Sequence, residues 1–204
     1  MTKKETASEL MARLQADPDF VARTNRREAE RLAREAELRS VQVPLVEELR
    51  RVGVLVDSVW DLVNTSASYL RALPVLLTHL HRAYPPAVRE GIARALAVPA
   101  ARFAWGDLDR LYRAETNEMV RTGLAAALAA TAGEEQIDGV IALVQDKGLG
   151  SSRLILLSAL ERSSDPQALS TLLHLRTDPD FAKEVPFILR RLKHLRRRDP
   201  RWPR

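Results

Sequence analysis

Three arginines recur at a fixed interval, Arg89, Arg121 and Arg153, each 32 residues beyond the one before. A guanidinium keeps its charge and presents its donors in a rigid fork, so a ladder of them can hold carboxylates or phosphates. The same fork can bond the carbonyls of a neighbouring turn while its stem packs below, and both readings stand at this stage. A second cationic feature lies at the end of the chain. From Arg190 to Arg204 there are eight Lys or Arg and one Asp, among them Arg196, Arg197 and Arg198, with Trp202 between further arginines. Such a tail suits nucleic acid, an acidic protein or anionic lipid, with the tryptophan as an anchor. It equally suits a helix end whose cations complement the helix dipole.

Other chemistry is weaker. His79 and His81, two apart, point about 200° away from each other on a helix and cannot share an ion, and His174 and His194 bring no thiolate or carboxylate cluster. The segment DKGLGSS (146–152) has glycines before serines, but it lacks the preceding strand and the Gly-Lys-Ser/Thr of a phosphate loop. It reads as a connector. No metal, cofactor or catalytic residue is expected.

The elements that position the arginines are helices. The chain has 204 residues, 46% hydrophobic and 5% aromatic, rich in Ala, Leu and Arg, a mixture that favours an all-α fold. VREGIARALA (88–97) returns as VRTGLAAALA 32 residues later. Ile92, Leu124, Leu156 and Ile188 share one column, and Leu96, Leu128, Leu160 and Leu192 another. Upstream, Leu73, Trp105, Ile137 and Leu169 align, as do Leu76, Leu108, Val140 and Leu172. Within a copy the apolar positions fall three and four apart, so each copy should be two helices with one buried stripe each. The turns between them are Tyr84-Pro85-Pro86, Glu115-Thr116-Asn117, Lys147 to Gly150 and Thr177 to Asp180. Helix pairs of this kind must stack to cover their apolar faces, which predicts a short right-handed α-solenoid.

Paired helices of the forms LPVLLTHL (73–80) and VREGIARAL (88–96) resemble HEAT repeats, in the compact form of phycobilin-lyase-type proteins. The resemblance covers 73–195, with 41–72 as a degenerate capping repeat and 196–204 as a basic tail. It implies an armadillo-like binding surface rather than an activity. HEAT-like alkylpurine DNA glycosylases use tryptophans and an aspartate, and WGDLD (105–109) has that flavour, but Trp105 falls in an apolar column. The residues outside 190–204 hold 24 basic and 26 acidic side chains, too balanced for a DNA-holding body.

Residues 1–40, with nine basic and eight acidic side chains, form a charged N-terminal helical extension, broken at Asp17-Pro18-Asp19. Ala22, Ala29 and Ala36 at heptad spacing point to a coiled coil, yet too few large residues accompany them, which favours a solvated helix. Glu30 with Arg34 and Glu35 with Arg39 have the spacing of same-face pairs.

The expected function is that of a non-enzymatic adaptor or scaffold, with an unidentified protein partner on the concave face of the second helices. The residues that vary between copies there are Glu90 and Arg94, Thr122 and Ala126, and Arg190. Nucleic-acid binding through the tail and the arginine column is the alternative, and a bilin lyase-like accessory role follows from the resemblance alone. The chain contains no cysteine, and no apolar run approaches the roughly 18 residues of a membrane span, so a cytoplasmic protein is expected.

Overall fold

The computed structural model describes residues 6–196, and all regular structure among them is helical. The chain divides into two units, Met1–Val43 and Pro44–Arg204.

In the first unit, α1 (Ala7–Ala16) begins with a capping box. The Thr6 hydroxyl accepts from the Glu9 amide, and the Glu9 carboxylate accepts from the Thr6 amide. Asp17 then ends α1 and caps α2 (Pro18–Val41), accepting from the amides of Asp19 and Phe20. Pro18 sits in the first turn of α2, where a missing N–H costs nothing. This is the break expected at Asp17-Pro18-Asp19. Although α2 has 24 residues, it buries none of them. Its surface carries ion pairs at helical spacing, and Glu35 takes Arg31, which also holds Glu28 at 2.5 Å.

The helix α3 (Val43–Arg51) leads into the second unit and buries Leu45 and Leu49. It is followed by α4 (Val59–Val63), α5 (Leu73–Leu80), α6 (Pro86–Ala95), α7 (Trp105–Ala114), α8 (Glu118–Thr131), α9 (Ile137–Gln145), α10 (Arg153–Arg162), α11 (Pro166–Leu175) and α12 (Glu184–Arg196). Local chemistry sets several starts. Asn117 accepts from the amides of Met119 and Val120 to open α8, and Asp165 caps α11 with Pro166 behind it.

Consecutive helices pair: α5 with α6, α7 with α8, α9 with α10, and α11 with α12. The second members also pack on one another in chain order, α6 on α8, α8 on α10 and α10 on α12, and α4 packs on α6 ahead of them. The side chains between them are the aligned apolar ones. Ile92, Leu124, Leu156 and Ile188 are buried, as are Leu96, Leu128, Leu160 and Leu192. Each such side chain contributes about 1.5–3 kcal/mol by leaving water.

Two glycines control how close these helices come. A Cβ on Gly91 would lie 2.7 Å from Val59 Cγ1 of α4, and one on Gly123 would lie 3.0 Å from the Glu90 carbonyl oxygen of α6. Only glycine admits that approach. At the same register, α10 has Ile155 and α12 has Phe187, and these helices part around a groove of about 440 Å³ lined by Leu154, Ile155, Phe187 and Ile188.

Candidate functional site

The arginine column begins the second helices, and its guanidinium groups turn toward the turns rather than along the helix faces. Arg89 Nη1 pairs with Glu115 Oε2 at 2.7 Å, joining α6 to the turn of the next helix pair. The other carboxylate oxygen of Glu115 accepts from the amides of Thr116 and Asn117. Arg121 donates from Nε and Nη2 to the Glu115 carbonyl oxygen, so this one turn receives two arginines.

Arg153 is the most enclosed, with 3% of its surface exposed. Its Nε donates to the Gly150 carbonyl at 2.9 Å and its Nη1 to the Val144 carbonyl at 2.8 Å. Its Nη2 pairs with Asp180 in the following turn at 2.5 Å, and its guanidinium carbon lies 4.9 Å from the centre of the Phe181 ring. Gly150 holds that carbonyl in a backbone of φ +67°, a region that favours glycine. The DKGLGSS segment is therefore built as an arginine-braced turn. Asp146 caps it at the Gly148 amide, and the Ser152 hydroxyl lies 2.8 Å from that of Tyr112. Burial pushes the Tyr112 phenol above its ordinary range.

The copy-variant residues are elsewhere. Glu90 and Arg94 form an i,i+4 pair on α6, with Arg94 Nε 2.8 Å from Glu90 Oε1. Thr122 donates its hydroxyl to the Glu118 carbonyl, and Thr122 and Ala126 are half-buried on α8. Arg190 is exposed on α12, and its guanidinium carbon lies 5.6 Å from the centre of the exposed Phe187 ring. The side chain of Arg196 and all of Arg197, Arg198 and Trp202 lie outside the described residues.

His79 and His81 separate as their spacing requires, His79 buried and His81 exposed. His79 Nδ1 is 2.8 Å from the Tyr84 hydroxyl, and its Nε2 faces Glu48 Oε2 at 3.0 Å without hydrogen-bond alignment. The His79 ring at that distance, followed by the hydrogen bond from Arg82, holds the Glu48 carboxyl below the usual carboxylate range. Trp105 packs against α9, where a Cβ on Gly139 would meet its ring at 2.5 Å, and Asp109 pairs with Arg113 at 3.0 Å. No group of His, Cys, Asp or Glu among the described residues is arranged to hold a metal ion.

A cavity of about 470 Å³ opens between the segment after α4 and the end of α6, lined among others by Leu62, Ser66, Ser68, Leu73, Arg94 and Val98. The 32-residue register had singled out Arg94 but not the cavity. Nor had it supplied the acidic partners Glu115 and Asp180, although both occupy turns that the register located.

No protein-family model, no curated protein and no solved structure matches this chain.

Within the described residues, no helix is long and apolar enough to cross a membrane. The second helices thus carry two sets of side chains: arginines that brace turns, and half-exposed, chemically varied residues that bond little beyond their own helix.

Proposed function

We propose that the second unit is a short right-handed α-solenoid of HEAT-like helix pairs with a 32-residue period, acting in the cytoplasm as a non-enzymatic protein-binding adaptor. The observation that carries this reading is the ordered packing of α4, α6, α8, α10 and α12 on one another. Neighbours related in that way present one continuous face, and the varied residues Glu90 and Arg94, Thr122 and Ala126, and Arg190 are its contact positions. The face offers a partner small and apolar surface in the middle, at Ala126, Leu154 and Ser158, and arginine toward either end, at Arg94 and Arg190. Such mixtures of neutral centre and charged rim suit protein partners.

The bracing of Arg89, Arg121 and Arg153 against turns argues against a phosphate ladder, because each guanidinium is already turned onto a protein acceptor, and in Arg153 all three nitrogens are bonded. Trp105 is half-buried and lays its ring on Gly139 of α9, which counts against a base-probing wedge. The basic tail keeps nucleic acid as the competing partner class.

Two measurements decide. The full chain is used as bait, and any recovered protein is tested against Thr122→Arg and Ala126→Glu; loss of binding at an unchanged melting temperature supports the adaptor. Unchanged affinity in both variants counts against this face. Fluorescence anisotropy of labelled single- and double-stranded nucleic acid over a salt series, with the full chain and one ending at Leu195, tests the competitor. Micromolar binding that falls with salt and disappears with the tail would put nucleic acid first.

A further inference from the structure

The cavity beside α6 combines apolar side chains with hydroxyls and one arginine. Its floor is apolar, from Leu62, Leu73 and Val98, and its rim carries the hydroxyls of Ser66 and Ser68. Leu62 and Leu73 are core residues, so the floor is held by the same packing that holds the fold. The wall is fixed as well, because the Tyr69 hydroxyl donates to the Ala95 carbonyl at 3.0 Å and ties the loop before α5 to the last turn of α6. A volume of about 470 Å³ lies within the range of small-ligand sites.

Arg94 is the one charged side chain among the lining residues. Its Nε is engaged by Glu90, which steadies the guanidinium plane, while its two terminal nitrogens have no acceptor among the described residues. A guanidinium held at Nε and open at both Nη atoms is prepared for a bidentate carboxylate. The side chain is one-third exposed, so the fork is reachable from solvent.

We propose that this cavity binds an apolar group bearing a single carboxylate, with the carboxylate on the Arg94 fork and the apolar part on Leu62, Leu73 and Val98. The serine hydroxyls supply further donors to the carboxylate. A dianion is disfavoured, since the second charge has no cation to meet. A neutral apolar molecule loses the Arg94 contact but keeps the floor. The chemistry is shared by a free amphipathic acid and by the carboxyl terminus of a peptide that ends in an apolar residue. Arg94 also belongs to the proposed adaptor face, but the two readings fail separately, because the adaptor is tested at Thr122 and Ala126.

The test is a titration of the full chain with octanoate and with 1-octanol, followed by amide chemical shifts in a ¹H–¹⁵N spectrum. Octanoate is expected to saturate and to shift Ser66, Ser68, Leu70 and Ala97 together. Arg94→Gln should weaken octanoate by at least about tenfold, the worth of one hydrogen-bonded charge, and leave octanol nearly unchanged. Arg94→Lys should restore part of the loss. Ala97→Trp, which fills the cavity from the end of α6, should abolish both ligands, and an ¹H–¹⁵N spectrum unchanged away from the cavity guards against a fold defect in every variant. Short peptides ending in leucine, with a free or an amidated terminus, separate the two sources. Tighter binding of the free-acid peptide than of octanoate assigns the site to a peptide terminus, and weaker binding assigns it to a free acid. Shifts that never saturate, shifts scattered away from the cavity, or equal loss of octanoate and octanol in Arg94→Gln would overturn the proposal.

Discussion

The guanidinium of Arg89 on α6 meets the carboxylate of Glu115 in the turn between α7 and α8 at 2.7 Å, and the carboxylate is almost fully buried. The pair ties one helix pair to the next through a side-chain contact that neither helix could make alone. Because Arg121 donates to the main-chain carbonyl of the same Glu115, the turn is held from both sides.

Removing either end of that tie should cost stability without changing the fold. Arg89→Ala leaves the Glu115 carboxylate with only its two amide donors, and should lower unfolding stability by about 1–3 kcal/mol. Chemical denaturation of the variant and of Arg89→Ala with Glu115→Gln measures it. The double variant should recover part of the loss, since no unpaired buried charge remains.

Arg153→Ala should be more damaging than Arg89→Ala. It strips the Val144 and Gly150 carbonyls of their donor and opens a space against Phe181. The expected loss is about 2–4 kcal/mol. Arg153→Lys should stay well below wild type, because a point charge can follow Asp180 but cannot span both carbonyls. Thermal melts that place Lys level with Arg would count against the bracing role.

Glycine substitutions should have opposite signs at two positions. Gly123→Ala drives a methyl group toward the Glu90 carbonyl and the Ala93 methyl, and should destabilise by about 1–3 kcal/mol. Gly106 on α7 has nothing within 4 Å of its would-be Cβ. There, alanine should stabilise by up to about 1 kcal/mol through helix propensity alone. Denaturant midpoints of the two variants report the difference directly.

Acid should loosen the link between the α8–α9 loop and the α10–α11 loop. The Ser163 hydroxyl donates to Glu134 Oε2 at 2.6 Å, and the Ser164 amide and hydroxyl donate to Oε1 at 2.9 and 3.1 Å. The bond from Ser163, followed by that from the Ser164 amide, holds this carboxyl below its ordinary range. A lowered folded pKa means that the contribution is complete above the ordinary glutamate range and is lost as pH falls through the folded value. Glu134→Gln should therefore melt lower than wild type at about pH 7, with the gap closing as pH falls below the ordinary glutamate range. A gap that widened on acidification would contradict the assignment.

The all-helical class, the helix breaks at Asp17 and Glu115, and the buried positions Ile92, Leu124 and Leu156 were legible in the chain itself. They follow from side-chain period and capping chemistry, which act over three or four residues and leave a direct trace in residue order. What each arginine of the column bonds to was decided only by tertiary structure. Asp180 reaches Arg153 from 27 residues away and Glu115 reaches Arg89 from 26, and spacing carries no information on which turn a flexible side chain finds. The burial of His79 beside Glu48, the notch at Gly123 and the cavity under Arg94 belong to the same class. Each depends on surfaces brought together from separate helices, and close packing, not period, sets the shape of the space they leave.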